Sequence, residues 1–244
     1  MRALSAAELL DVWERGLAHS PAQRALILLA LACDETPVEQ LAQFSIGRRD
    51  AQLLALREQT FGPQLASTTI CPACAEQLEF NVDIADVRAT SNTELEATLD
   101  LTHSDYDVEF RLPTGLDLAT LDPGASVETN RQHLLRRCVI IARSAGSEVA
   151  AEELPAEVGA AIAQRMAKAD PLADVQIALA CPQCQHTWPT PFDIVSFFWI
   201  EIHAWANRLL REVHSLASAY GWREAEVLAL SPWRRQAYLE LIEP

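Results

Sequence analysis

The sequence predicts an α+β, helix-rich fold in which helices at both ends of the chain flank two β-hairpins, with a large α/β subdomain inserted between the hairpins. Three observations predict it. Apolar residues recur at three- and four-residue steps over the first sixty residues and again after Asp193, the period of a helix that buries one face. Two stretches around Cys-Pro-x-Cys turns are strand-like, with alternating or β-branched composition. The stretch between them mixes both patterns. The expected division is 1–62 for the N-terminal helices, 63–84 with 172–192 for the hairpins, 85–171 for the insert and 193–244 for the C-terminal helices.

Ser5 and Glu8 have capping-box spacing and precede Leu9, Leu10, Trp13 and Leu17 on one face. Ser20-Pro21 opens a helix over Ala22–Cys33 that is apolar nearly all round and so belongs in a core. Thr36-Pro37 with Glu39 starts a short helix, and Ser45 caps another over Ile46–Thr60 that stops near Gly62. Ala66–Ile70 and Leu78–Ile84 read as strands, the second with Leu78, Phe80, Val82 and Ile84 on one face. Tyr106–Leu112 alternates likewise, and Leu116–Leu121 is a helical turn. Helices are expected over Ser126–Ser144 and Leu154–Lys168, strands over Ala173–Ala180 and Thr187–Phe192. Asp193 caps a long helix, Ile194–Ala219, ended near Gly221; Glu224–Leu230 and a segment after Ser231-Pro232 are the last helices. There is no tandem repeat or low-complexity tract.

The chain has 244 residues, half of them apolar, and a net charge of −15. So acidic a protein is a poor ligand for nucleic acid or anionic lipid, both polyanions, and long-range attraction favours a basic partner. The longest apolar run, Ala25–Cys33, is far shorter than the roughly 20 residues of a membrane span. Glu8, Asp11, Glu14 and Arg15 stand where a signal peptide would carry its basic start and apolar run, so a cytoplasmic location with reduced thiols is expected.

Cys71-x-x-Cys74 and Cys181-x-x-Cys184 carry the strongest chemical signal. Two cysteines three apart across a tight turn can aim both sulfurs at one point, and Pro72 and Pro182 preshape the turns. Two such hairpin knuckles facing each other form a zinc ribbon, with one tetrahedral Zn2+ held by Cys71, Cys74, Cys181 and Cys184. Residues 75–180 intervene, against roughly 15–20 in a simple ribbon, so this ribbon carries an insertion. Loop-closure cost grows only logarithmically with length, which makes the insertion tolerable. A redox dithiol needs one pair beside a helix N-terminus, disulfides need an oxidising compartment, and catalytic zinc keeps an open position; a structural metal fits four matched cysteines better than any of these. His186 stands close enough to compete as a ligand, although a solvated turn residue is the plainer reading. Cys33 and Cys138 sit within apolar helical faces as small buried hydrophobes.

Motifs of catalysis are missing: no glycine-rich phosphate loop, no Gly-x-Ser-x-Gly elbow, no His-Glu-x-x-His, and six scattered histidines. No enzyme activity and no small-molecule substrate are therefore expected. The Arg48-Arg49, Arg136-Arg137 and Arg234-Arg235 pairs read either as a grip on an acidic partner or as solvated faces. The long C-terminal helix has more aromatic surface than one face needs, which leaves two readings: a central core helix, or a helix that docks another chain. The candidate partner surface comprises Trp199, Trp205, Tyr220, Trp222, Trp233, Arg234 and Arg235.

The segment Glu212-Val-His-Ser-Leu-Ala-Ser-Ala-Tyr-Gly-Trp-Arg-Glu-Ala-Glu-Val-Leu-Ala-Leu-Ser-Pro-Trp-Arg-Arg-Gln-Ala-Tyr-Leu-Glu240 resembles the tail of small assembly proteins encoded with phage-like contractile injection systems. Gly47-Arg-Arg-Asp-Ala-Gln-Leu-Leu-Ala-Leu-Arg-Glu-Gln-Thr-Phe-Gly-Pro-Gln-Leu65, followed by Cys71-Pro-Ala-Cys74, is similar to the cysteine-containing baseplate-hub assembly proteins of contractile-tailed phages. Phe110-Arg-Leu-Pro-Thr114 and the stretch from Cys181 to Asp193 fit the same likeness, which covers most of 46–240 and draws nothing from 1–40. The resemblance implies a non-catalytic baseplate component or assembly factor whose partners are other baseplate or tail proteins. A cytoplasmic zinc-ribbon adaptor that binds proteins or nucleic acid is the alternative.

Overall fold

The computed structural model describes residues 1–88 and 98–242, so the expected 85–171 and 193–244 regions each include residues outside the described ones. The class is α+β, with helices α1–α11 and small antiparallel sheets. Reciprocal bonds start the chain: the Glu8 N–H donates to Ser5 Oγ and the Ser5 N–H to the Glu8 carboxylate, opening α1 (Ala6–Gly16). Ser20 and Gln23 repeat this at α2 (Pro21–Ala32). After α3 (Val38–Ala42), Ser45 accepts the Arg48 N–H at the start of α4 (Ile46–Phe61).

Strands β1 (Gln64–Ile70) and β2 (Gln77–Asp83) form the first hairpin, which runs into α5 (Ile84–Arg88). The strands β3 (Leu99–His103), β4 (Tyr106–Phe110), β5 (Val139–Ser144) and β6 (Ser147–Glu148) make an antiparallel sheet in that order. Between β4 and β5 lie α6 (Gly115–Leu118) and α7 (Val127–Cys138). Helix α8 (Ala156–Ala169) places Val158 and Ile162 in a core with Leu99, Val108, Phe110 and Ala142. The strands β7 (Val175–Ala180) and β8 (Thr187–Phe192) form the second hairpin.

The chain then enters α9 (Ile194–Tyr220), whose 27 residues run about 40 Å. It stops where Gly221 takes φ 70, a left-handed conformation that costs glycine little. Helices α10 (Glu224–Leu228) and α11 (Pro232–Ile242) fold back against it. Helix α9 serves two cores. Its first half buries Phe198 and Ile202 with Leu28, Leu29, Leu53 and Leu56. Its second half buries Leu209, Val213 and Leu216 with Leu10 and Val227.

The helix expected over Ser126–Ser144 ends at Cys138. Val139, Ile140 and Ile141 are β-branched, and the segment pairs with β4, Val108 opposite Ala142 and Glu109 opposite Ile141. Strands β3 and β6 lie where the sequence assigns no element.

Candidate metal centre

The two hairpins follow one pattern at a constant offset. Cys71 corresponds to Cys181, Cys74 to Cys184, Leu78 to Trp188, Val82 to Phe192, Asp83 to Asp193 and Ile84 to Ile194. In the first turn the Cys71 N–H donates to Glu76 O at 2.8 Å and the Ala75 N–H to Cys71 O at 2.9 Å. In the second, the Cys181 N–H donates to His186 O and the Gln185 N–H to Cys181 O, both at 2.9 Å. Ala75 and Gln185 both take φ 59, a left-handed conformation that non-glycine residues adopt at a cost of about 1 kcal/mol. Below the turns, Cys71, Leu78 and Cys181 share a small buried cluster with Trp188 packed on it.

All four Sγ atoms lie within 4.8 Å of one another. Cys71 and Cys184 stand 3.7 Å apart and Cys74 and Cys181 3.6 Å apart, so each hairpin's first cysteine lies beside the other hairpin's second. A tetrahedral ion with metal–sulfur bonds of about 2.3 Å needs sulfurs about 3.8 Å apart, whereas a disulfide needs about 2.05 Å. All four cysteines are free thiols, Cys71 and Cys181 buried and Cys74 and Cys184 exposed. The donor set and spacing therefore fit a thiophilic ion. His186 is not part of the cluster; its ring stacks on Trp188 at 5.7 Å.

Electrostatics in the cluster argue the same way. Burial pushes the Cys71 thiol up, but the N–H groups of Ala73 and Cys74 and the neighbouring thiols bring it down to about 7. The Glu76 N–H favours the Cys74 thiolate, yet the surrounding sulfurs and burial push that thiol up to about 12. At Cys184 the His186 N–H and Cys74 favour the thiolate, but burial and the other sulfurs win and the thiol is raised. Sulfurs this close cannot all be thiolates without a cation among them, and a coordinated cation deprotonates them outright.

Other predicted residues are placed differently. Trp199 is 8 % exposed: its ring covers Gly16 and the Arg24 guanidinium lies 4.4 Å from its centroid. Arg235 is 5 % exposed and donates to Glu212 at 3.1 Å and to Leu230 O at 2.8 Å. Neither side chain is an accessible surface. Trp199, off the main apolar stripe of α9, is covered by α1 and α2, and Arg235, on α11, faces Glu212 of α9. Trp205 is half-buried against both helical cores. Tyr220 stacks on Trp222 at 4.7 Å, and Trp222 meets Tyr238 edge-on at 4.9 Å. Trp233 is 87 % exposed and Arg234 is exposed beside it.

The arginine pairs are mostly committed internally. Arg49 binds Asp50, Arg136 binds Glu152 and Arg137 binds Asp117, while Arg48 lies over the Phe44 ring. Asp117, 1 % exposed, also takes both Nη atoms of Arg111, at 2.6 and 3.0 Å, and the Thr114 N–H at 2.9 Å. Thr114 and Asp117 have capping-box spacing, a signal in the sequence that could have marked this buried acid and that is not among the caps named above. Arg57, 2 % exposed, makes two parallel bonds to Glu201 at 2.8 and 2.6 Å, tying α4 to α9. No sequence motif marks that pair.

The family described as T4 bacteriophage base plate protein matches residues 19–199. That span holds both hairpins and the whole sulfur cluster. It begins within the first forty residues, from which the resemblance drew nothing, and ends before the 212–240 segment on which the resemblance drew. No curated protein and no solved structure matches the chain. Because the match covers well over half of the sequence, the chain belongs to the T4 bacteriophage base plate protein family.

Proposed function

We propose that this protein is a non-enzymatic structural or assembly component of a phage tail baseplate or of a phage-like contractile injection system, built on a zinc ribbon. The observation that carries the reading is the coincidence of the family match over 19–199 with four convergent sulfurs inside that span. Cys71, Cys74, Cys181 and Cys184 hold one Zn2+, and with four protein ligands no position is left for substrate. The ion would clamp the two hairpins together and so fix both ends of the inserted segment 85–171. Structural zinc supplies on the order of 10–16 kcal/mol in small peptides, and part of that would hold these remote stretches in register.

The partners in this reading are other baseplate or tail proteins. Their docking surface includes exposed Trp233 and Arg234 with the stacked Tyr220 and Trp222 on the same C-terminal segment, beyond the family match, and Trp205 further back along α9. The protein is made in the cytoplasm and joins or builds the tail particle. No helix among the described residues is long and apolar enough to cross a membrane. Co-expression with the baseplate and tail proteins encoded beside it, followed by affinity capture, tests the role. A stable complex with at least one is expected, and capture of none overturns the assignment. Metal analysis of unchelated protein tests the ribbon, with one zinc per chain expected.

A further inference from the structure

A cleft of about 560 Å3 opens where the N-terminus of α2, α4, the segment after α6 and the β8–α9 junction meet. Its walls are mostly apolar, with Ile46, Leu118, Phe192 and Val195 among them, and Arg49, Asp50 and Asp193 also line it. Asp50 is 8 % exposed. Its Oδ1 accepts the Arg49 Nε at 2.7 Å, and Oδ2 accepts no hydrogen bond among the described residues. No fully buried side-chain oxygen among those residues lacks a partner, so Oδ2 is the oxygen that reaches the open space. Every lining residue lies within the family-matched span.

The charge there is unbalanced. Asp50 and Asp193 line the cleft and Asp170 acts on Asp50 from nearby, against Arg49 as the one cation among the lining residues described. Asp193 already accepts the Val195 N–H at 3.0 Å and the Ser196 hydroxyl at 2.6 Å, and Asp170 accepts the Gly47 N–H at 2.9 Å. Of the two acids that line the cleft, only Asp50 has an oxygen that accepts no hydrogen bond among the described residues; Asp170, whose Oδ1 accepts none either, is not a lining residue. Among the described residues no group of three or more His, Cys, Asp or Glu ligand atoms converges except the cysteines, so the cleft does not suit a metal ion. A largely apolar cleft in which one buried carboxylate keeps an oxygen without a hydrogen bond instead matches a long aliphatic side chain carrying a cation at its tip.

We infer that this cleft receives a lysine or arginine side chain from a neighbouring baseplate protein, with its charge on Asp50 Oδ2; the identity of the neighbour rests on the baseplate reading above. Burial raises the Asp50 carboxyl to about 6, with Asp193 and Asp170 adding to the rise and the Arg49 pair opposing it, so a second cation at Oδ2 would favour the ionised form. The net charge of −15 favours approach of a basic partner.

The test uses the full-length, metal-replete protein and butylguanidinium chloride, with pentanamide as the neutral control. The guanidinium is titrated to about 50 mM, the range that a ligand of so few atoms needs. Saturable shifts in the backbone amide signals of Asp50, Leu118, Phe192 and Val195 are expected with the guanidinium and not with the amide. Asp50→Asn should weaken binding at least tenfold. Ala119→Trp, which fills the mouth from an exposed position, should do the same and serves if the first variant fails to fold. No binding by the parent protein, or equal binding by both variants, overturns the cation site whatever the protein's role. The second arm measures capture of a baseplate partner. Loss of guanidinium binding with unchanged capture overturns a protein side chain as the source, while absence of any partner points instead to failure of the baseplate reading.

Discussion

Asp170 Oδ2 accepts the backbone N–H of Gly47 at 2.9 Å, so an acid from the end of the inserted segment satisfies one of the open donors in the first turn of α4. The approach is close enough that a Cβ on residue 47 would collide with the Asp170 carboxylate and crowd Ala173 N at 3.0 Å. Gly47→Ala should therefore destabilise the protein by about 3 kcal/mol, although alanine is the better helix former. Asp170→Asn should cost about 1 kcal/mol, since it keeps an acceptor and loses the charge at a helix N-terminus. Urea denaturation of the two variants measures both, and a neutral Gly47→Ala would show that the contact yields freely.

The second prediction concerns the sulfurs. Purified without chelator, the protein should carry one zinc per chain, and Cys71→Ser or Cys181→Ser should abolish it. Both positions are buried, so those variants also leave a polar hydroxyl among Leu78 and Trp188. Cys74→Ser and Cys184→Ser lie at the exposed side and should lose metal with a smaller fall in melting temperature. Elemental analysis with thermal melts checks this; a metal-free parent protein with an unchanged melt would remove the ribbon.

Asp117 sets a pH dependence. Burial pushes its carboxyl up, but Arg111, Thr114 and Arg137 outweigh this and hold it well below the usual carboxylate range. A carboxylate depressed in the folded state contributes stability that is complete above its unfolded pKa, near about 4, and is lost as pH falls toward the folded value. Asp117→Asn should remove that acid-side loss and cost about 3 kcal/mol at neutral pH, because two guanidinium groups lose their shared anion. Unfolding measured from pH 7 to pH 3 on the parent and variant checks the difference in slope.

Two tryptophans separate core from surface. Trp199→Ala empties a site against Gly16 and Arg24 and should cost about 3–5 kcal/mol. Trp233→Ala, at 87 % exposure, should change stability by less than about 0.5 kcal/mol while weakening capture of a baseplate partner. A large stability loss at Trp233 would place that ring in a core of this chain instead.

What could be seen in the sequence was local chemistry. Ser5, Ser20, Ser45 and Asp193 announce helix starts that the structure contains, because a cap needs only residues close in sequence. The hairpins and the cysteine turns were legible for the same reason, although the match between Asp83 and Asp193 is hidden by the insert: each accepts the N–H two residues on, from Ala85 and Val195. What was not legible depends on distant neighbours. Val139–Ser144 reads equally well as the last turns of a helix until β4 is beside it. Trp199 reads as surplus aromatic surface until α1 and α2 close over it. Arg57 and Glu201 are unremarkable residues until two helices bring them within hydrogen-bond reach.

The family match stops at residue 199, within the first two turns of α9, yet the helix continues without a break to Tyr220. A continuous α-helix is stiff in torsion as well as in length, so the far end cannot rotate independently of the near one. Helix α11, which packs on α9, is thereby held at a fixed distance and azimuth from the second hairpin. Under the proposed baseplate role, the end of the molecule beyond the family match would act as a set square for whatever docks there.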